Sequence, residues 1–169
     1  MMKDSKTRRL PKSSATAVKG APAIVLINPQ LGENIGMSAR AMLNNALTDL
    51  RLVDPVHGWP NEKAVNPSAG AEVVLEGVQV FDTTGAALAD LSHVYATTAR
   101  DRDMTKRVLT ARAVAKEMRQ VIAEGGRPGV IFGREAWGLN NKDVALTDTL
   151  VTIPMNPAFS SLNLAQAVL

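Results

Sequence analysis

The chain has no cysteine, only two histidines and an aromatic content of 4% over 169 residues. Without cysteine there is no disulfide, no thiolate metal site and no thiol nucleophile, and two histidines make a His-rich metal centre a poor expectation. No apolar run approaches the roughly 20 residues that span a bilayer, and the basic N-terminus lacks the apolar stretch of a signal peptide. The expectation is a metal-free protein of a reducing cytoplasm with no membrane attachment. Two phosphate-binding fingerprints are also missing. No Gly-x-Gly-x-x-Gly follows a strand, and no Gly-Lys-Ser/Thr closes a phosphate loop, which argues against an ordinary dinucleotide or NTPase domain.

What is present suits one globular domain with a real core: 46% hydrophobic and 21% charged residues. The net charge of +3 is unevenly spread. Residues 1–20 set Lys3, Lys6, Arg8, Arg9, Lys12 and Lys19 against Asp4, a net +5, so the rest of the chain carries +3 − 5 = −2. This Ser/Thr-rich segment is expected to be a basic flexible tail, residues 1–20. It could ease approach to RNA or DNA; a solvated leader is the plainer alternative.

From residue 21 onward, apolar runs alternate with helical patterns. Strands are expected at 23–28, 50–54, 78–81, 92–98, 129–133 and 149–153, several with the continuous apolar character of strands buried on both faces. Helices are expected at 34–47, with Ile35, Ala39, Met42, Leu43 and Ala46 on one stripe, within "TGAALADL", and at 110–126, where Gly125 is the stop. A short helix is expected near the end of the Gly/Pro-rich 58–74 stretch, and a last one from Leu162. The alternation predicts an α/β fold with a mostly parallel sheet flanked by helices.

Ligands of such sheets sit beyond the carboxyl ends of the strands, which directs attention to four loops. In "NPQLGENIG" the helix start places Arg40 one turn above Gly36, beside free amides. That arrangement suits an anion, although a solvated arginine is the plainer reading. "TTARDRDMTK" opens with Thr97, Thr98 and Ala99, short residues able to offer backbone to a flat ligand. "GREAWGL" places Glu135 between two glycines, where it could fix a ligand, hold an arginine or cap the next helix. "PMNPAFSSLN" offers Ser160 or Ser161 as a cap for the last helix. Capping accounts for one serine, not for two serines, two prolines and two asparagines together.

Together, "NPQLGENIGMSARAM", "IFGREAWGL" and "IPMNPAFSSLNLAQAV" resemble the three successive motifs of the SpoU/TrmH branch of the SPOUT methyltransferases. The likeness covers residues 22–169, and the "NPAFSSLN" wording is most similar to the TrmJ-type tRNA/rRNA enzymes of that branch. The resemblance implies a C-terminal deep trefoil knot, an exception to the rule against knotted connections. It also implies a homodimer, and S-adenosylmethionine bound by Thr97, Thr98, Ala99, Gly133, Ile153, Ser160, Ser161 and Leu162. Pro154 and Pro157 would stiffen the knot loop.

The activity implied is methylation of a ribose 2′-hydroxyl in RNA, with the tRNA anticodon loop as target and rRNA as a second possibility. Arg40, Asn34, Glu135, Ser161 and Asn163 match the catalytic positions. A guanidinium is a poor base, so Arg40 is expected to hold the neighbouring phosphate. Glu135 is expected to orient Arg40 or the cofactor loop, and Asn163 to support the knot loop. TrmJ-type enzymes continue with a further helical region, so the expectation is a domain cut within its last helix at Leu169. The competing readings are a non-catalytic RNA-binding or ribosome-associated module that keeps the knot, and an unrelated nucleotide-binding α/β protein.

Overall fold

The computed structural model describes residues 20–98 and 105–169. The basic tail and Ala99 therefore lie outside the described residues. Seven strands form one sheet: β1 (Ala23–Ile27), β2 (Leu50–Val53), β3 (Gln79–Phe81), β4 (His93–Thr97), β5 (Arg107–Thr110), β6 (Pro128–Phe132) and β7 (Thr149–Thr152). Their order is β3-β2-β1-β6-β4-β7-β5, and every pairing is parallel. The central strands β1 and β6 are buried at every position, as strands covered on both faces must be.

Side-chain alternation splits the core in two. Ile24 and Leu26 of β1 face the cluster that holds Ile35, Ala39 and Met42 of α1 (Gly32–Asn44), Val114 of α5 (Ala111–Ala123) and Leu164 of α7 (Leu164–Val168). Val25 and Ile27 face the other way, against Ala87 and Leu88 of α4 (Thr84–Leu88) and Val144 of α6 (Asn141–Ala145). The 58–76 stretch is more helical than its composition suggests, with a 3-10 turn at Glu62–Ala64, α2 (Val65–Ser68) and α3 (Glu72–Glu76).

The boundaries differ from expectation for local reasons. β5 reads as loop because it is short and mostly exposed, an edge strand without apolar alternation. It is fixed by Arg107, which donates to Glu117 of α5 (2.6 and 2.9 Å) and to Thr149 of β7 (2.9 Å). Arg107 holds the Glu117 carboxyl below the ordinary carboxylate range, mainly through that hydrogen bond and against burial. α1 begins two residues earlier than expected and ends three earlier, where Asn45 caps it and Ala46 turns left-handed (φ 57°). Gly36 is not a bare patch for a ligand. A Cβ there would lie 2.1 Å from the Ala64 carbonyl oxygen, so this glycine lets α1 seat on the 3-10 turn. Gly36→Ala is expected to cost about 1–3 kcal/mol through overpacking against backbone, read as a lower midpoint in urea. An unchanged midpoint would show that the two helical segments part without cost. Among the described residues no helix is long and apolar enough to cross a membrane.

Candidate functional site

The loops after β1, β6, β4 and β7, four neighbouring strands, enclose a cavity of about 690 Å³ at the carboxyl end of the sheet. Its lining contains Asn34 from the first loop, Thr97 and Thr98 from the second, Gly133 and Glu135 from the third, and Ile153, Ser160, Ser161, Leu162 and Asn163 from the fourth. Every described residue expected at the site is there except Arg40.

Glu135 is the tie between loops. Its carboxylate accepts the backbone N–H of Gln30 (2.9 Å) and of Leu31 (3.4 Å), and the side-chain amide of Asn34 (2.8 Å). It therefore terminates α1, whose own N-cap residue, Leu31, offers no side-chain acceptor, and a negative charge there also suits the helix dipole. Within one chain Glu135 makes no contact with Arg40, and it does not cap the following helix: Asn140 does, accepting the Asp143 N–H.

The polarity of the network follows from that carboxylate. An ionised carboxylate only accepts, so Asn34 must present its NH₂ to Glu135 and its oxygen to the opposite side. There the amide of Asn163 donates to it at 2.9 Å. The Asn163 oxygen is thereby left to accept the N–H of Ala165, and Gln166 completes a capping box. Asn163, not Ser160 or Ser161, caps the last helix, which begins at Leu164 and not Leu162. The two serine hydroxyls make no hydrogen bond to described residues. Thr97 differs: its hydroxyl donates to the Ile131 carbonyl (3.1 Å), which leaves its backbone and methyl group for a ligand.

The third loop folds back on itself. Arg134 and Gly138 bridge, the Gly138 N–H donating to Arg134 at 2.8 Å, and a Cβ on Gly133 would lie 2.1 Å from the Gly138 carbonyl carbon. Only glycine at 133 permits that closure. Arg40 lies in the third turn of α1, not beside its free amides. It is about 9 Å along the helix and about 120° around it from Asn34; it is exposed and does not line the cavity. The lining also includes Leu31, Arg134, Trp137 and Met155, which the sequence reading did not assign. A tryptophan between Gly133 and Gly138, in a loop at the end of a buried strand, was the available signal.

A parallel sheet with such a cavity at its carboxyl end defines a ligand-binding domain of the open α/β class. Residues 21–169 match the model of the SpoU rRNA Methylase family, and the chain belongs to that family. It is 39% identical over 145 residues to the tRNA (cytidine/uridine/adenosine-2′-O-)-methyltransferase TrmJ of Pseudomonas aeruginosa, covering 86% of this chain and 56% of that protein. Its structure resembles that of TrmJ from Z. mobilis ZM4 with a TM-score of 0.82 and 53% identity, covering 88% of this chain and 65% of the other. The chain thus spans somewhat over half the length of these relatives. The SpoU methyltransferase AviRb of Streptomyces viridochromogenes shares the fold, with a TM-score of 0.69 at 20% identity.

Proposed function

We propose that this chain is the methyl-transferring domain of a TrmJ-type enzyme that modifies a ribose 2′-hydroxyl of RNA, with the tRNA anticodon loop as target and the cytoplasm as location. The observation that carries this reading is the Asn163–Asn34–Glu135 chain of hydrogen bonds, which joins three separate motif loops around one cavity. The cofactor would be S-adenosylmethionine, and the residues fit it. A cavity of about 690 Å³ lies in the small-ligand range. Its walls pair apolar Ile153 and Leu162 with the unpaired hydroxyls of Ser160 and Ser161.

When bound, S-adenosylmethionine supplies a methyl group on a cationic sulfur for in-line displacement by an oxygen. The protein's share is positioning, because transfer needs the oxygen about 3–3.5 Å from the methyl carbon. Glu135 and Asn34 hold the loop frame, Asn163 anchors the last loop, and Gly133 keeps the third loop closed over the cavity. We assign Ser161 to contact with the ribose or the cofactor. Arg40 would hold the phosphate beside the reacting hydroxyl and lower its pKa electrostatically.

Since Arg40 projects away from its own cavity, we infer that it serves the cavity of a second copy. The homodimer is part of the same inference, and the exposed apolar side chains of Leu31, Met37 and Phe159 would supply surface for it. The trefoil knot is inferred from family membership. It is supported by the last loop, whose Ile153, Met155 and residues 160–163 line the cavity with the loops after β4 and β6 before α7 packs on α1.

Incubating the whole protein with labelled cofactor and total tRNA, then mapping modified riboses, tests the proposal. Label at an anticodon-loop 2′-oxygen is expected. Cofactor binding with no label in any RNA would sink the enzyme reading in favour of a binding module.

A further inference from the structure

We propose that the loop Arg134–Gly138 grips the nucleotide being modified, Arg134 through a phosphate and Trp137 by stacking on the base; this rests on the RNA-methylating reading of the cavity. Arg134 lines the cavity, and its Nε is shut off from water without a hydrogen-bond partner. Leaving such a donor unpaired is unfavourable, so the site is arranged for a partner that it does not itself contain. Among the described residues no carboxylate supplies one. Arg51, Arg107 and Arg127 each pair with an Asp or Glu, whereas Arg134 pairs with none of the described residues. Its neighbour Glu135 is already committed to three N–H donors at the start of α1. An uncompensated guanidinium at a cavity wall matches a phosphate with two parallel hydrogen bonds.

Trp137 lines the same cavity and is 66% exposed, an unusual state for the largest apolar side chain. The loop presents it rigidly. The chain is closed by the Arg134–Gly138 bridge and turned by left-handed Ala136 (φ 65°) and Gly138 (φ 70°). Across a tight turn, residues three apart have Cα atoms within about 7 Å. That separation is comparable with the distance from base to phosphate in one nucleotide. An indole stacks on any base, and a base with its own phosphate presents both complements of the loop at once. A protein partner would have to bring a separate anion to the same point. Residues 21–169 carry a net charge of −2, so attraction for RNA there rests on local cations such as this one.

The chain has two tryptophans, so a Trp59→Phe background leaves Trp137 as the only indole. In that background an anticodon stem-loop RNA is expected to quench the emission, while S-adenosylhomocysteine alone is not. Trp137→Ala and Arg134→Ala should each weaken stem-loop binding about tenfold or more, with Trp137→Phe retaining most of it. Arg134→Ala should lower the salt slope of binding by about one, and Trp137→Ala should leave it unchanged. Affinity for S-adenosylhomocysteine should hold in both variants.

Weaker S-adenosylhomocysteine binding in Arg134→Ala would overturn the assignment, since the guanidinium would then serve the cofactor's carboxylate. A shift of Trp137→Ala toward monomer in sedimentation, with RNA affinity intact, would place the indole against a second copy instead. If the wild type labels no RNA, the functional reading itself fails. If it labels RNA and both alanine variants bind as tightly, that reading stands and only the grip is lost.

Discussion

Arg51→Met is expected to lower the free energy of unfolding by about 3 kcal/mol or more, seen as an earlier urea midpoint. Arg51 sits within β2 and is 2% exposed. Its guanidinium donates to both oxygens of Asp49 (3.0 and 2.9 Å), to both of Asp90 (2.5 and 3.0 Å) and to the Ala87 carbonyl (2.7 Å), with the Phe81 ring centre 5.9 Å away. Arg127 closes the cluster from outside, pairing with Asp49 at 3.0 Å and also with Asp90. Burial works against the Arg51 charge, but the bonds to Asp90 and Asp49 outweigh it and hold its pKa above the ordinary value. Methionine would fill much of the volume yet leave two neighbouring carboxylates with Arg127 alone and the Ala87 carbonyl unpaired.

The same cluster sets a pH dependence. The Arg51 hydrogen bond holds the Asp90 carboxyl below its ordinary value, against burial. A carboxyl depressed in the folded state adds stability above its unfolded pKa of about 4, and loses it as the pH falls through the folded value. Wild-type stability should therefore fall off in the acid range below about pH 4, and Arg51→Met should show a shallower fall there. A midpoint within experimental error of wild type would mean that the cluster contributes no net stability. The cluster lies at the amino ends of the strands, opposite the cavity, so the folded variant should still bind cofactor.

Much of the fold is legible because parallel strands covered on both faces must be continuously apolar. "AIVLI" and "GVIF" announce themselves for that reason, and the loops after them mark the site. The misses share a physical cause: they depend on partners distant in sequence. α1 starts at Gly32 because an acceptor 101 residues after Asn34 terminates it. The serines before Leu164 look like caps, yet the cap is Asn163, held by Asn34 across 129 positions. Arg51 interrupts an otherwise apolar strand, and its buried role is not legible there because Asp90 comes 39 residues later. Arg40 lies on the helix as its spacing requires. What the sequence does not reveal is where that helix begins, and so which way the arginine faces relative to the cavity.

Glu135→Gln is the sharpest probe of the site, and it is expected to lower methyl transfer about 100-fold, the scale that follows from misplacing a reacting group by about 1 Å. The substitution is nearly isosteric, so packing is kept while the pattern of donors and acceptors is not. Three N–H donors converge on the carboxylate, from Gln30, Leu31 and Asn34. A glutamine offers one acceptor oxygen and turns its NH₂ toward donors, so at least one of them loses its partner. Asn34 is 4% exposed and has no water to turn to. If the glutamine NH₂ takes the Oε1 position, which Asn34 and Leu31 share, the Asn34 amide must flip, setting its NH₂ against that of Asn163 and breaking the link to the last loop. If it takes the Oε2 position, the Gln30 N–H loses its acceptor. The expected signature is local: faster hydrogen exchange at the Gln30 and Leu31 amides, weaker S-adenosylhomocysteine binding, and a global urea midpoint lowered far less than by Arg51→Met. A structural role confined to helix capping would speed exchange but spare cofactor affinity. Glu135→Gln with unchanged exchange and unchanged affinity would show that the three loops are held by packing alone, and that the carboxylate does not organise the cavity.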